Sequence, residues 1–136
     1  MSPAGTITIL ASEADDFFTG LGKVLAPVFA EQRAEWAEHG PAAEKLLKDA
    51  AIELDFVAGN CPVQAEGMVD GERFYFRARG EHWALHIGAE DDWFTGREWR
   101  YEEAYGDKYQ AGWMPHHEAL CFISQAVGRW RAEKTA

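Results

Sequence analysis

Residues 63–87 read VQAEGMVDGERFYFRARGEHWALHI, and two short turn signals inside this stretch decide the fold. Asp70–Gly71 is a pair that tolerates positive φ at both centres of a tight turn, the geometry that matches hairpin twist. With this pair at the tip, Val69 faces Glu72, Gly67 faces Phe74, Ala65 faces Phe76 and Val63 faces Ala78. Each large ring then lies opposite a small residue, as cross-strand packing on one face requires. Gly80–Glu81 offers a second two-residue turn, which sets Ala78 against Trp83, Phe76 against Leu85 and Phe74 against Ile87. The two registers are independent, and they agree. Side chains alternate along a strand, so Val63, Ala65, Phe74, Phe76, Trp83, Leu85 and Ile87 share one apolar face. The opposite face collects Gln64, Glu66, Arg73, Tyr75, Arg77, Arg79, His82 and His86.

Working outward, a fourth strand is expected around Arg97–Glu103, with Trp99 and Tyr101 inward and Glu98, Arg100 and Glu102 outward. Pro115 then opens a helix whose apolar stripe is Leu120, Ile123, Ala126, Val127 and Trp130. On the N-terminal side, Ser12 and Asp15 resemble a helix start, followed by Phe17, Phe18, Leu21, Leu25, Val28 and Phe29 at helical spacing. Pro27 predicts a break or kink, and Gly40–Pro41 predicts a stop followed by a fresh start. Leu46, Leu47, Ala50, Ala51 and Leu54 continue a helical stripe to about Val57, with Gly59–Asn60 as terminator. Ile52, Leu54 and Phe56 also alternate with Glu53 and Asp55, as they would in a strand. Thr6–Leu10 has the pattern of a short strand.

These patterns predict an α+β protein: N-terminal helices, an antiparallel three- to four-stranded meander, and a C-terminal helix packed on one sheet face. A chain of 136 residues fits a single domain, with 1–60 mainly helical, 61–105 the sheet and 114–133 the last helix. Hydrophobic content of 47% with six Trp excludes general disorder, because there is ample apolar surface to offset chain entropy. Cys61 and Cys121 are too few for a disulfide framework and suit a reducing compartment, with one bridge left open. No signal segment and no run of about eighteen apolar residues occurs, so a cytoplasmic protein without a membrane partner is expected.

Acid is unevenly distributed in this chain of net charge −10. Residues 1–60 hold four Lys/Arg against ten Asp/Glu, and residues 90–118 hold three against eight. Residues 61–89 are near balance, and the last eighteen turn basic through Arg129, Arg131 and Lys134. Such blocks make a directional field that attracts cationic partners and repels nucleic acid. The N-terminal block falls on the solvated side of amphipathic helices. The second block is different, because it is interleaved with rings.

That second segment supplies the expected partner-binding residues: Glu90, Asp91, Asp92, Trp93, Phe94, Glu98, Glu102, Glu103, Tyr105, Asp107 and Tyr109. Trp99, Tyr101 and Trp113 are its expected core rings. Exposed rings surrounded by acid anchor Arg- or Lys-rich surfaces through apolar area, cation–π contact and charge. No GxSxG, P-loop, GxGxxG or kinase signature is present. The leading expectation is therefore a non-enzymatic acidic inhibitor that docks on a basic protein surface. It would occupy a nucleic-acid-binding groove, as an anti-CRISPR or other phage anti-defence protein does, or neutralise a basic toxin as an immunity protein. Homo-oligomerisation through the N-terminal helices is a further expectation.

The alternative is a small enzyme or ligand-binding domain on the polar sheet face. Glu66, Tyr75 and His86 fall in one row there, and a carboxylate, a phenol and an imidazole can form a proton relay. The same row is also an ordinary solvated set of strand partners. Arg73, Tyr75, Arg77 and Arg79 have the pattern of a single-stranded nucleic-acid binder, but Glu66, Glu72 and Glu102 are expected to neutralise them. The helix–strands–helix order resembles double-stranded-RNA-binding domains, yet the last helix opens with Pro115, His116, His117 and Glu118 and not with lysines. His117 and Cys121 stand one helical turn apart without a CxxC or HExxH to complete a zinc site, so no metal and no cofactor is expected.

Overall fold

A computed structural model describes residues 11–88 and 98–135, with side chains from residue 26 onward. The expected strand at Thr6–Leu10 lies outside the described residues. The described elements are α1 (Ala11–Asp49), β1 (Ile52–Ala58), β2 (Val63–Val69), β3 (Glu72–Arg79), β4 (His82–Ile87), β5 (Trp99–Ala104), a 3-10 turn (Gln110–Trp113) and α2 (His116–Lys134). The strands form one antiparallel sheet in the order β1-β2-β3-β4-β5. The fold is α+β.

Both turn readings hold. Asp70 has φ 50° and Gly71 φ 82°, so the tip has positive φ at both centres. Gly80 has φ 64°, as the first centre of the other turn requires. The pairs Gly67–Phe74, Ala65–Phe76 and Val63–Ala78 form across β2 and β3. Phe74–Ile87, Phe76–Leu85 and Ala78–Trp83 form across β3 and β4. Phe74, Phe76, Ala78, Trp83, Leu85 and Ile87 are buried on one face with Leu120, Ile123, Ala126, Val127 and Trp130 of α2. Each large apolar side chain so buried contributes about 1.5–3 kcal/mol, whereas an exposed ion pair contributes under about 1. The apolar register outweighs the surface charges in setting the topology.

Two expectations at the N-terminal side are corrected. Gly40–Pro41 does not stop the helix, and Pro27 does not end it; α1 is assigned as one helix through both. Gly40 is buried, and a Cβ there would stand 2.5 Å from the Trp36 ring, so the glycine makes room for the indole. Lacking Cβ, it also removes part of the clash that a residue before proline suffers in a helix. Secondly, the helix does not continue to Val57. It ends at Asp49, and Ala51 takes φ 58°, a left-handed position normally held by Gly or Asn.

From Ala51 the chain enters β1, the fifth strand, which pairs with β2. The alternation of Ile52, Leu54 and Phe56 prevails over the helical stripe because pairing satisfies the β2 edge and buries Ile52. A bulge between Leu54 and Phe56 then turns Phe56 to the other face, opposite Glu66, where it is 42% exposed. Gly59–Asn60 follows this strand and not a helix.

The chain divides into two units, Met1–Ala34 and Glu35–Ala136. In the first, Val28 and Phe29 of α1 are 36% and 37% exposed. In the second, Ala43 and Leu47 of α1 join the core beside α2. α2 is fastened along its last turns. Trp99 Nε1 donates to Glu133 at 3.0 Å, and Arg129 lies 4.4 Å over the Tyr101 ring. Arg131 donates to both carboxylate oxygens of Asp70 and to the carbonyl of Ala50 at 2.7 Å.

Candidate functional site: the open sheet face and the β5 end

With α2 and the last turns of α1 on one face, the sheet presents its polar residues on the other. Register brings the relay candidates together, for Glu66 pairs with Tyr75 and Tyr75 with His86. The Tyr75 and His86 rings stand 6.0 Å apart. Their hydrogen bonds run elsewhere. Tyr75 donates its hydroxyl to Gln64 Oε1 at 3.1 Å, and Glu66 accepts from Arg73 at 3.1 Å. Arg73 also reaches Asp55 at 3.4 Å. His86 is buried, and burial holds its imidazole below the ordinary histidine range. Burial likewise raises the Tyr75 phenol. The three groups share a row, and among the described residues the bonds to Gln64 and Arg73 do not link them into a carboxylate–phenol–imidazole chain.

Beside this row lies a groove of about 640 Å³ over Ala84, with Arg77, Arg79, His82, Glu98, Arg100 and Glu102 around it. The expected neutralisation of the arginines is only partial. Glu66 is committed to Arg73, and Glu102 to Arg100 at 3.0 Å. Arg77 has no ion pair among the described residues, and its buried Nε has no acceptor. The signal that could have located the groove is the single small residue, Ala84, between two histidines on that face of β4.

The acidic–aromatic segment is dispersed. Glu90, Asp91, Asp92, Trp93 and Phe94 lie outside the described residues. Glu98 and Glu102 border the open-face groove. Glu103 pairs with Trp83 and so lies on the helix side of β5, where it accepts from the Tyr101 hydroxyl at 2.7 Å. That bond raises the Tyr101 phenol above its ordinary value. Trp99 and Tyr101 pack against the core as expected. Tyr105 is half-buried, edge-on to Phe122, and donates to Glu118 at 2.7 Å. Burial first, then this bond, push its phenol far up.

Beyond Tyr105 the rings emerge. Tyr109 is 74% exposed, and Trp113, expected in the core, is 40% exposed. The 3-10 turn explains the correction: it buries Ala111 and Gly112, with Met114 just after it, and leaves Trp113 outward. This segment is held by backbone bonds from Tyr105 N to Glu81 O, Ala111 N to Gly80 O and Cys61 N to Gly112 O. Gln110 closes it further by accepting from Asp107 N at 2.7 Å. Tyr105, Asp107, Lys108, Tyr109 and Trp113 line a shallow groove of about 610 Å³.

The histidine–cysteine cluster does not assemble into a metal site among the described residues, where no three His, Cys, Asp or Glu are suitably grouped. His116 Nε2 is 2.9 Å from the carbonyl of Gly59, and the His117 ring lies 4.7 Å from that of His39. Cys61 and Cys121 are both free and exposed as residues, and partial desolvation of its sulfur, then the Glu118 carboxylate, raise the Cys121 thiol. Among the described residues no helix is long and apolar enough to cross a membrane. Comparison with protein-family models, curated proteins and solved structures yields no match.

Proposed function

We infer that this chain is a non-enzymatic interaction protein that docks on a basic protein surface through the end of the sheet beyond β5. One observation carries the reading: Tyr109 is three-quarters exposed on a segment that backbone bonds hold in place. A ring carried on a fixed backbone loses little main-chain entropy when a partner covers it, so more of its apolar gain appears as affinity. Trp113 stands in the same groove with Asp107, and Glu81 is bonded through its carbonyl to Tyr105. Glu102 and Glu103 are exposed on the neighbouring edge strand. Carboxylates around a ring select Arg or Lys, by cation–π contact as well as by charge.

In its finer form the protein is a cytoplasmic inhibitor whose carboxylates stand where the phosphates of a nucleic acid would. Anti-defence and toxin-immunity proteins are two instances of that class. Such blocking needs no reaction. Self-association through residues 11–34 belongs to the same reading, on the exposure of Val28 and Phe29. The alternative use of Glu66, Tyr75 and His86 in catalysis has one point in favour, an imidazole that burial holds below the ordinary histidine range. The diverted Tyr75 hydroxyl weighs against it.

The test is capture of partners from lysate at about 50 and about 300 mM salt, a range over which surface charge is progressively screened. A basic protein should be retained at low salt and weakened at high salt. Tyr109→Ala with Trp113→Ala should cost at least about tenfold in affinity, the scale of a hot-spot ring. Joint reversal of Glu102, Glu103 and Asp107 to Lys should abolish retention. Unchanged capture by the reversal variant would sink the proposal.

A further inference from the structure

On the open face, one row across the sheet runs Arg77–Ala84–Glu102 and the next runs Arg79–His82–Ala104. Ala84 is the low point between taller neighbours, and the groove of about 640 Å³ opens over it. Its two walls differ in charge balance. On the β5 side, Arg100 and Glu102 are paired at 3.0 Å and offset each other, and Glu98 and, from the β3–β4 turn, Glu81 complete the acidic lining. On β3, the Arg77 side chain makes no hydrogen bond or ion pair among the described residues, and its Nε is buried without an acceptor there. Arg79 beside it also lacks an ion pair there.

A guanidinium keeps its charge and presents five donors in a planar fork that fits an oxyanion. Leaving one such donor dehydrated and unmatched is unfavourable, and an anion in the groove removes that cost. The geometry points to a site for a phosphate monoester with a hydroxylated body, such as a sugar phosphate. The phosphate, near −2 at neutral pH, balances Arg77 and Arg79 together, which a single carboxylate does not. Hydroxyls of the body donate to Glu102, whose carboxylate has acceptor positions beyond the one that meets Arg100.

The net negative charge does not forbid this. Screening at physiological salt limits exposed charges to about 8 Å. The acid of α1 from Glu35 to Asp49 stands on the helix side, where Ala43 and Leu47 enter the core, across the sheet from the groove. The arginines act at contact distance, and Arg77, with its buried Nε, does so partly out of water. This site lies apart from the rings at Tyr109 and Trp113, shares Glu81 and Glu102 with the docking surface, and rests on Arg77 and Arg79, which the docking role does not use.

The test uses the full chain labelled with ¹⁵N and titrated with ribose 5-phosphate in chloride buffer at constant ionic strength. Ribose and inorganic phosphate are titrated separately. Ribose 5-phosphate should shift the Arg77 Nε–H resonance and the His82 and Ala84 amides saturably, with half-saturation near or below about 1 mM. Ribose alone should leave them in place. Arg77→Gln should weaken binding at least about tenfold, and so should Arg79→Gln, an exposed position where loss of folding is not at issue. Absence of saturation up to about 10 mM, or equal binding by wild type and Arg79→Gln, overturns the site. Equal affinity for inorganic phosphate overturns the role given to Glu102.

Discussion

Ala51 shows how much one backbone angle can hide. At φ 58° it occupies the left-handed position that closes α1, with its N–H donating to Lys48 O. An L-residue pays about 1–2 kcal/mol for that conformation, and glycine pays almost nothing. Ala51→Gly should therefore stabilise the protein, by about 0.5–1 kcal/mol once the greater freedom of the unfolded chain is deducted. Urea denaturation measures it, and a loss of stability would contradict the assigned conformation. The helix end was illegible for the same reason: the residue there is the wrong type for its job. Gly40 misleads in the opposite direction. It looks like a terminator, yet its missing Cβ serves the Trp36 ring one turn away.

Among the elements, the β2–β3 turn does more than reverse the chain. Asp70 at its tip receives two hydrogen bonds from Arg131, which also holds the carbonyl of Ala50. One side chain of α2 thus ties the turn to the α1–β1 junction. The Arg131 guanidinium holds the Asp70 carboxyl below its ordinary range. A carboxyl lowered on folding contributes stability that is present above its unfolded pKa, about 3.9, and lost as pH falls through the folded value. The side chains are 35% and 32% exposed, so solvent keeps the contribution under about 1 kcal/mol. Asp70→Asn should keep the turn, because Asn–Gly suits both positive φ values. It should flatten the decline in stability between about pH 5 and pH 3. A decline equal to wild type would show that Asp70 is not the titrating contact. The turn and its register were readable in the sequence, whereas the Arg131 contact joins positions 61 residues apart and had no local signal.

At the scale of the whole molecule, Glu35–Ala136 holds the sheet, α2 and the described core, with Ala43 and Leu47 supplied by the last turns of α1. A chain of residues 35–136 should therefore fold, with a melting temperature within about 4–8 °C of the full chain, the shift worth about 1 kcal/mol in a domain of this size. Failure to fold would show that residues 1–34 belong to the core. The candidate sites divide along similar lines of legibility. Alternation in residues 63–87 sufficed to place Glu66, Tyr75 and His86 in one row, because strand geometry has a period of two and the turns set the phase. It could not say which hydrogen bonds the row would make, since Gln64 competes for the same hydroxyl. By itself, the sequence determined the fold class, the meander register, the α2 stripe and the excess of acid, all consequences of short-range periodicity and composition. Only tertiary structure decided that β1 joins the sheet, that Tyr109 and Trp113 face outward, and that Arg77 meets no carboxylate among the described residues. Those outcomes depend on which side chains compete for one partner and on where the surface ends, and neither is a local property of the chain.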